Sequence, residues 1–271
     1  MENPFNFRYH KFSATFLICS FLVVVPVMSQ NSPNQGVQQM RFSYPRDLQE
    51  FVTPTELCDA ANPGIQSKAL ELAGNSRTPV EAAIRVFYFV RDSCAFGLSN
   101  ADEKASETLK SGVGWCITKT NLEVALLRSL GIPARYHQIW VSKKSLKGIT
   151  SNLLHRMVPE PIEIHPWCEC YLDGKWIACE VTFDKGTYLA GQAVGTFEKG
   201  NPSVIDWDGK SDCNWVSGFM LKDIGTHASY DEVSKQVAAT NREMGPAFML
   251  RWITNQSNRK TARLREKYAI G

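Results

Sequence analysis

Past residue 25 the sequence has no apolar run of the roughly 20 residues that a membrane-spanning helix needs, so no later segment is expected to cross a bilayer. Charge bias is also small. Thirty Lys and Arg stand against 27 Asp and Glu, a formal charge of +3, and no basic cluster interleaved with aromatics occurs before the last stretch of chain. Both points argue against a nucleic-acid partner. There is no internal repeat and no low-complexity run. There is no Cys-x-x-Cys pair either, and Cys168-Glu169-Cys170 has the period-2 spacing of a strand rather than of a zinc knuckle, so no metal or other cofactor is expected.

What is present fits one large domain with extensions. Of the 271 residues 44% are hydrophobic and 21% charged, enough for an ordinary core. Residues 1–29 have the layout of an export signal: Arg8, His10 and Lys11, then the uncharged apolar run Phe12–Val25, then small Val27 and Ser29 ahead of a cleavage point before Gln30. Left uncleaved, the same segment would be a membrane anchor. Residues 30–50 read as a flexible leader, 51–245 as the folded domain with its core motifs in 75–185, and 246–271 as a basic helical tail. Beyond Cys19 there are seven cysteines, an odd number that suits one free nucleophile plus six that can pair in an exported protein; the alternative is seven buried reduced thiols in a cytosolic protein.

Along the chain, Pro54-Thr55-Glu56-Leu57 opens a predicted helical stretch, and Ile65–Ala73 reads as a helix ending at Gly74. Thr78-Pro79-Val80-Glu81 carries a helix-start signature. A helix from Cys116 to Leu130 is expected from Leu122, Leu126 and Leu130, stopped by Gly131 and Pro133. Ala134–Val141 reads as a strand and 143–161 as a rim or lid. Ile164–Leu172 and Lys175–Phe183 flank Asp173-Gly174, a two-residue hairpin signal. If Leu172 and Lys175 close that turn, His165 and Glu180 become diagonal neighbours on one face. The same register puts Cys168 opposite Cys179 on the other face, where a disulfide is expected.

A cysteine at a helix start, a histidine on one strand and a carboxylate on the next make a nucleophile, a base and an orienting acid. Free N–H groups and positive potential at a helix N-terminus favour a thiolate and can hold an oxyanion. Cys116, His165 and Glu180 are therefore the candidate catalytic residues, with Asp184 a rival acid. Gly114, Trp115 and Trp167 are candidates for the substrate or oxyanion pocket, although Trp115 can equally pack and Trp167 can pack under the histidine.

These elements in this order resemble the transglutaminase-like superfamily. The resemblance lies in the Gly114-Trp115-Cys116 helix start, the Leu130-Gly131-Ile132-Pro133-Ala134-Arg135 step, the His165-Pro166-Trp167-Cys168-Glu169 strand and the Trp176–Thr182 strand. It implies an α+β fold of transglutaminase-like or papain-like type, with a helical N-terminal half packed on an antiparallel β-sheet. It implies Cys116 as nucleophile and His165 as base. The family's aspartate falls on Glu180, because Cys179-Glu180-Val181-Thr182 overlays its Val-Asp-Pro-Thr. The implied function is an exported cysteine enzyme that attacks a peptide or protein amide through a thioester, by hydrolysis or acyl transfer. A non-catalytic binding or scaffold protein on the same fold is the alternative. The expected partner is a peptide or protein substrate, and a membrane only if the N-terminal segment stays uncleaved.

Overall fold

The structure is a computed structural model that describes residues 42–198 and 202–268. The predicted signal and most of the leader lie outside the described residues. Helix α1 (Pro63–Ala73) starts where Asn62 Oδ1 accepts the Gly64 N–H, with Pro63 in the first turn. Helix α2 (Pro79–Ser93) starts where Thr78 accepts the Glu81 N–H. The predicted helix at Pro54 does not form. A 3-10 helix at Arg46–Val52 precedes it, and the backbone that follows bonds elsewhere: Leu57 N–H donates to Asp231, while Leu57 C=O accepts from Asn121 and from Ala105 N–H. Those groups are spent on other elements and cannot close helical turns.

A two-stranded parallel pairing of β1 (Ala95–Phe96) with β2 (Val113–Gly114) brackets helix α3 (Ala105–Ser111) and leads into α4 (Cys116–Ser129). The Leu122/Leu126 pattern suggests one apolar stripe, yet α4 is buried all round, from Cys116 to Arg128. A helix buried on every side must find partners for its polar groups. Lys119 Nζ donates to the Arg91 and Cys94 carbonyls at 2.9 and 2.7 Å. Asn121 bridges the Leu57 C=O and the Tyr136 hydroxyl. Arg128 spreads its guanidinium over the carbonyls of Thr53, Ala134 and Ala228. Glu123 is the exception, since its carboxyl group has no nitrogen or oxygen partner and meets only the Cys179 thiol.

Helix α4 packs on the sheet β5-β4-β3-β6, which is antiparallel throughout. Its strands are β3 (Ala134–Val141), β4 (Ile162–Leu172), β5 (Lys175–Cys179) and β6 (Met220–His227). The turn between β4 and β5 has positive φ at both Asp173 (48°) and Gly174 (86°), the geometry a two-residue hairpin requires. The register is the expected one, with Leu172 opposite Lys175 and Cys168 opposite Cys179. Strand β5 stops at Cys179 rather than Phe183, and the outer side of its end bonds to Cys213 through Ala178 C=O and Glu180 N–H. Residues 143–161 hold a 3-10 turn and α5 (Asn152–Met157). Three further helices follow: α6 (Lys185–Ala193), α7 (Asp231–Glu243) and α8 (Ala247–Tyr268). No helix among the described residues is long and apolar enough to cross a membrane.

Candidate active site

Cys116 is the first residue of α4 and only 6% exposed. The chain reaches it through a tight entry. Gly112 ends α3 in the left-handed region (φ 64°), and Gly114 then lies so close to α4 that an added Cβ would stand 2.8 Å from Thr118 Oγ1 and 2.9 Å from Lys119 Cγ. Thr118 accepts the Trp115 N–H at 3.1 Å, which fixes the last step before the cysteine. The Cys116 N–H belongs to the first turn, where the helix itself supplies no acceptor, so it is free to meet an oxyanion.

His165 sits in β4, 5% exposed, with Nε2 3.2 Å from Glu180 Oε1. The other carboxylate oxygen of Glu180 accepts the Val216 N–H at 3.1 Å, so both oxygens are held and the side chain cannot swing. With Nε2 occupied by the acid, Nδ1 is left for the thiol. Burial alone would pull the His165 pKa down, but hydrogen bonding to Cys116 and to Glu180 outweighs it and raises the value to about 10. The structure thus brings together the three residues read as nucleophile, base and acid.

The other candidates are placed differently. Asp184, the rival acid, caps α6. It accepts from Thr187 N–H and hydroxyl at 2.8 Å and from Phe96 N–H at 2.9 Å, and lies 3.6 Å from Arg265. Its acceptor capacity goes to the fold and none reaches His165. Trp115 lines the cleft. Trp167 does not: it is 3% exposed and stacks on His137, ring centroids 4.5 Å apart, inside a cluster with Ile139, Ala178 and Val216. Gly114 serves the close approach to α4 rather than the pocket wall.

The expected Cys168–Cys179 disulfide is absent, and all seven cysteines among the described residues are free thiols. The register is right but the pair type is wrong for a bridge. Ala178 C=O and Glu180 N–H point outward to Cys213, so the Cys179 amide groups point inward to β4. That makes Cys168 and Cys179 a hydrogen-bonded pair, whose side chains stand farther apart than in the alternate pairs and beyond the usual disulfide Cβ separation of about 3.8 Å. The Cys179 thiol instead points to the Cys168 carbonyl at 3.5 Å and to Cys170 Sγ at 3.8 Å.

Two contributors were invisible to pattern reading. Val216 acts through its backbone, which no side-chain motif reports. Tyr230 is 2% exposed, stacks on Tyr136 at 5.5 Å, and has a hydroxyl with no hydrogen-bond partner. Burial pushes its phenol up, and the nearby Cys116 adds to the shift. In front of Cys116 and His165 opens a cleft of about 830 Å³. Leu154 and Met157 form one side of it, and Val237 and Met244 another, so it suits an apolar group beside a polar centre.

Residues 66–181 match the model of the transglutaminase-like superfamily. The span includes Cys116, His165 and Glu180. No curated protein matches the chain. Among solved structures, a "putative cysteine protease" from Cytophaga hutchinsonii aligns at 18% identity and TM-score 0.46, over 71% of this chain and 52% of its own. A "putative protease" from Parabacteroides distasonis aligns at 12% identity and TM-score 0.34, over 49% and 25%. This chain therefore spans about half the length of the first and a quarter of the second, and neither bears on what it does.

Proposed function

We propose, from the premise that this chain carries the transglutaminase-like core, that it is a cysteine-dependent enzyme acting on peptide or protein amides. The observation that carries the reading is the chain of contacts from Cys116 through His165 to Glu180 and the Val216 N–H, closed on the inside and open to the cleft on the outside. The thiolate of Cys116 attacks the amide carbonyl, and the oxyanion that forms meets backbone N–H groups at the start of α4. His165, held as imidazolium by Glu180, gives its proton to the departing amine and leaves a thioester on Cys116. The neutral imidazole then takes a proton from the acyl acceptor, water or an amine, which releases the acyl group and restores the thiol pair. Export through residues 1–29 belongs to the same reading and is checked by sequencing the N-terminus of the protein isolated from its source, expected at Gln30.

The deciding experiment is alkylation by iodoacetamide across pH, with the labelled cysteine mapped by mass spectrometry. Cys116 should label first and should do so below neutral pH, and His165→Ala should abolish that preference. Labelling of Cys116 no faster than a free thiol would instead support the non-catalytic scaffold. Turnover of peptide amides with and without an added primary amine separates hydrolysis from acyl transfer.

A further inference from the structure

Glu123 stands two turns after Cys116 on α4 and is 1% exposed, and its carboxyl group meets no N–H or O–H donor, only the Cys179 thiol. Interiors do not leave a carboxyl group in that condition without a reason. What it faces is sulfur. One carboxylate oxygen of Glu123, Cys168 Sγ and Cys179 Sγ all lie within 4.8 Å of one another, and Cys170 Sγ is 3.8 Å from Cys179 Sγ. All three cysteines are fully buried. Strand geometry explains the gathering: Cys168 and Cys170 share a face of β4 by period-2 alternation, and Cys179 is set opposite Cys168 by the hairpin register. The sequence contains no zinc-knuckle spacing because the donors come from a helix and two strands.

We propose that Glu123, Cys168 and Cys179, with Cys170 as the fourth donor, form a structural site for a thiophilic divalent cation, zinc being the best fit. Zinc takes four ligands in a tetrahedron, with sulfur at about 2.3 Å and carboxylate oxygen at about 2.0–2.2 Å. A tetrahedron of those radii has ligand-to-ligand edges of about 3.5–3.8 Å. The Cys170–Cys179 separation already has that length, the Glu123, Cys168 and Cys179 donors need to close by about an ångström, and Cys170 must turn toward Cys168 and Glu123 to complete the tetrahedron. Three thiolates and the Glu123 carboxylate carry four negative charges, of which a divalent ion meets two and the buried ammonium of Lys119, one turn back on α4 and electrostatically coupled to Glu123, a third. The three thiol protons, and any proton on the buried Glu123 carboxyl, leave to solvent as the ion binds, so loading is coupled to folding and favoured at higher pH. Such an ion would join α4 to β4 and β5 on the side of the sheet away from His165.

The test uses the full chain, purified without metal-affinity resin and exchanged into metal-free buffer. Elemental analysis should find close to one zinc per chain. Refolding in cobalt(II) in place of zinc should give thiolate-to-metal charge-transfer bands and the visible spectrum of tetrahedral cobalt. Cys116→Ala should retain the metal, which separates this site from adventitious binding at the nucleophile. Cys168→Ser with Cys179→Ser should lose it, and Glu123→Gln should weaken zinc binding at least tenfold in competition with a chelator. Where the double variant fails to fold, the cobalt spectrum of Glu123→Gln decides, since its amide is a poor ligand and the band pattern must change. The proposal is overturned if the refolded wild type takes up fewer than about one zinc in ten chains. It is equally overturned if Cys116→Ala loses the metal, or if Glu123→Gln leaves spectrum and affinity unchanged.

Discussion

Glu180 joins two things at once: Oε1 lies 3.2 Å from His165 Nε2, and Oε2 accepts the Val216 N–H at 3.1 Å. The second bond anchors the longer side chain that stands here where the resembled pattern has an aspartate. Glu180→Asp should therefore lose one of the two contacts and slow Cys116 alkylation about tenfold, while Glu180→Gln should cost about 10²-fold and Cys116→Ala should abolish turnover. Stopped-time alkylation and peptide-amide turnover on the same preparations check the order. An aspartate variant faster than the wild type would mean that Glu180 is not the orienting acid.

The His165 value sets a pH dependence of stability. Folding raises this pKa from about 6.5 to about 10. A raised value means the folded state holds the proton more tightly. The contribution is therefore fully present below about pH 6.5 and is lost as pH climbs through about 10. Urea midpoints of the wild type and of His165→Gln should differ most near pH 6 and converge toward pH 10. A gap that widened with pH would contradict the sign.

Asp184 should behave as a cap and not as a catalytic acid. Asp184→Asn removes charge from a residue holding two Thr187 donors and the Phe96 N–H. It should lower stability by about 1–2 kcal/mol and leave the relative rate of Cys116 labelling within a factor of about two. Thermal melts and the alkylation assay give both readouts. A large loss of Cys116 reactivity without a loss of stability would return Asp184 to the catalytic group.

Tyr230→Phe isolates one hydroxyl. The ring keeps its stacking on Tyr136, and only an unpartnered buried O–H is removed. Stability should stay level or rise, by up to about 1 kcal/mol, because no hydrogen bond is lost. A fall of more than about 1 kcal/mol in a denaturant titration would show that the hydroxyl has a partner after all.

Strong local signals made the centre of the fold readable. Asp173-Gly174 specified the turn, and from the turn the register follows residue by residue to Cys168 opposite Cys179 and to His165 near Glu180. The Gly131-Ile132-Pro133 stop likewise marked the passage from α4 to β3. Strand β6 was not readable, because its residues are mostly exposed and Lys222, Asp223 and Gly225 break any apolar alternation; the β3 edge, not composition, makes it a strand. The Pro54 segment misled because its helix-start chemistry is outcompeted by long-range bonds to Asp231 and Asn121. The disulfide failed on a detail that residue spacing does not carry, namely which cross-strand pairs exchange hydrogen bonds. Nothing in residue spacing singles out Glu123; the burial of α4 on every side places its carboxyl group beside the sulfurs of Cys168 and Cys179.

The depth of Cys116 carries its own consequence. With 6% of the residue exposed and the imidazole and indole beside it, the thiol lies recessed at the bottom of the cleft. Under the proposed reaction, an amide would have to arrive on something narrow: a chain end, a peptide in solution, or a loop that peels away from its own fold. Any reaction at this cysteine would thus be gated by the local order of the other molecule. Identical sequences would be spared while folded and taken once unfolded, so the shape of the cleft would make the protein a reader of its target's conformation as much as of its chemistry.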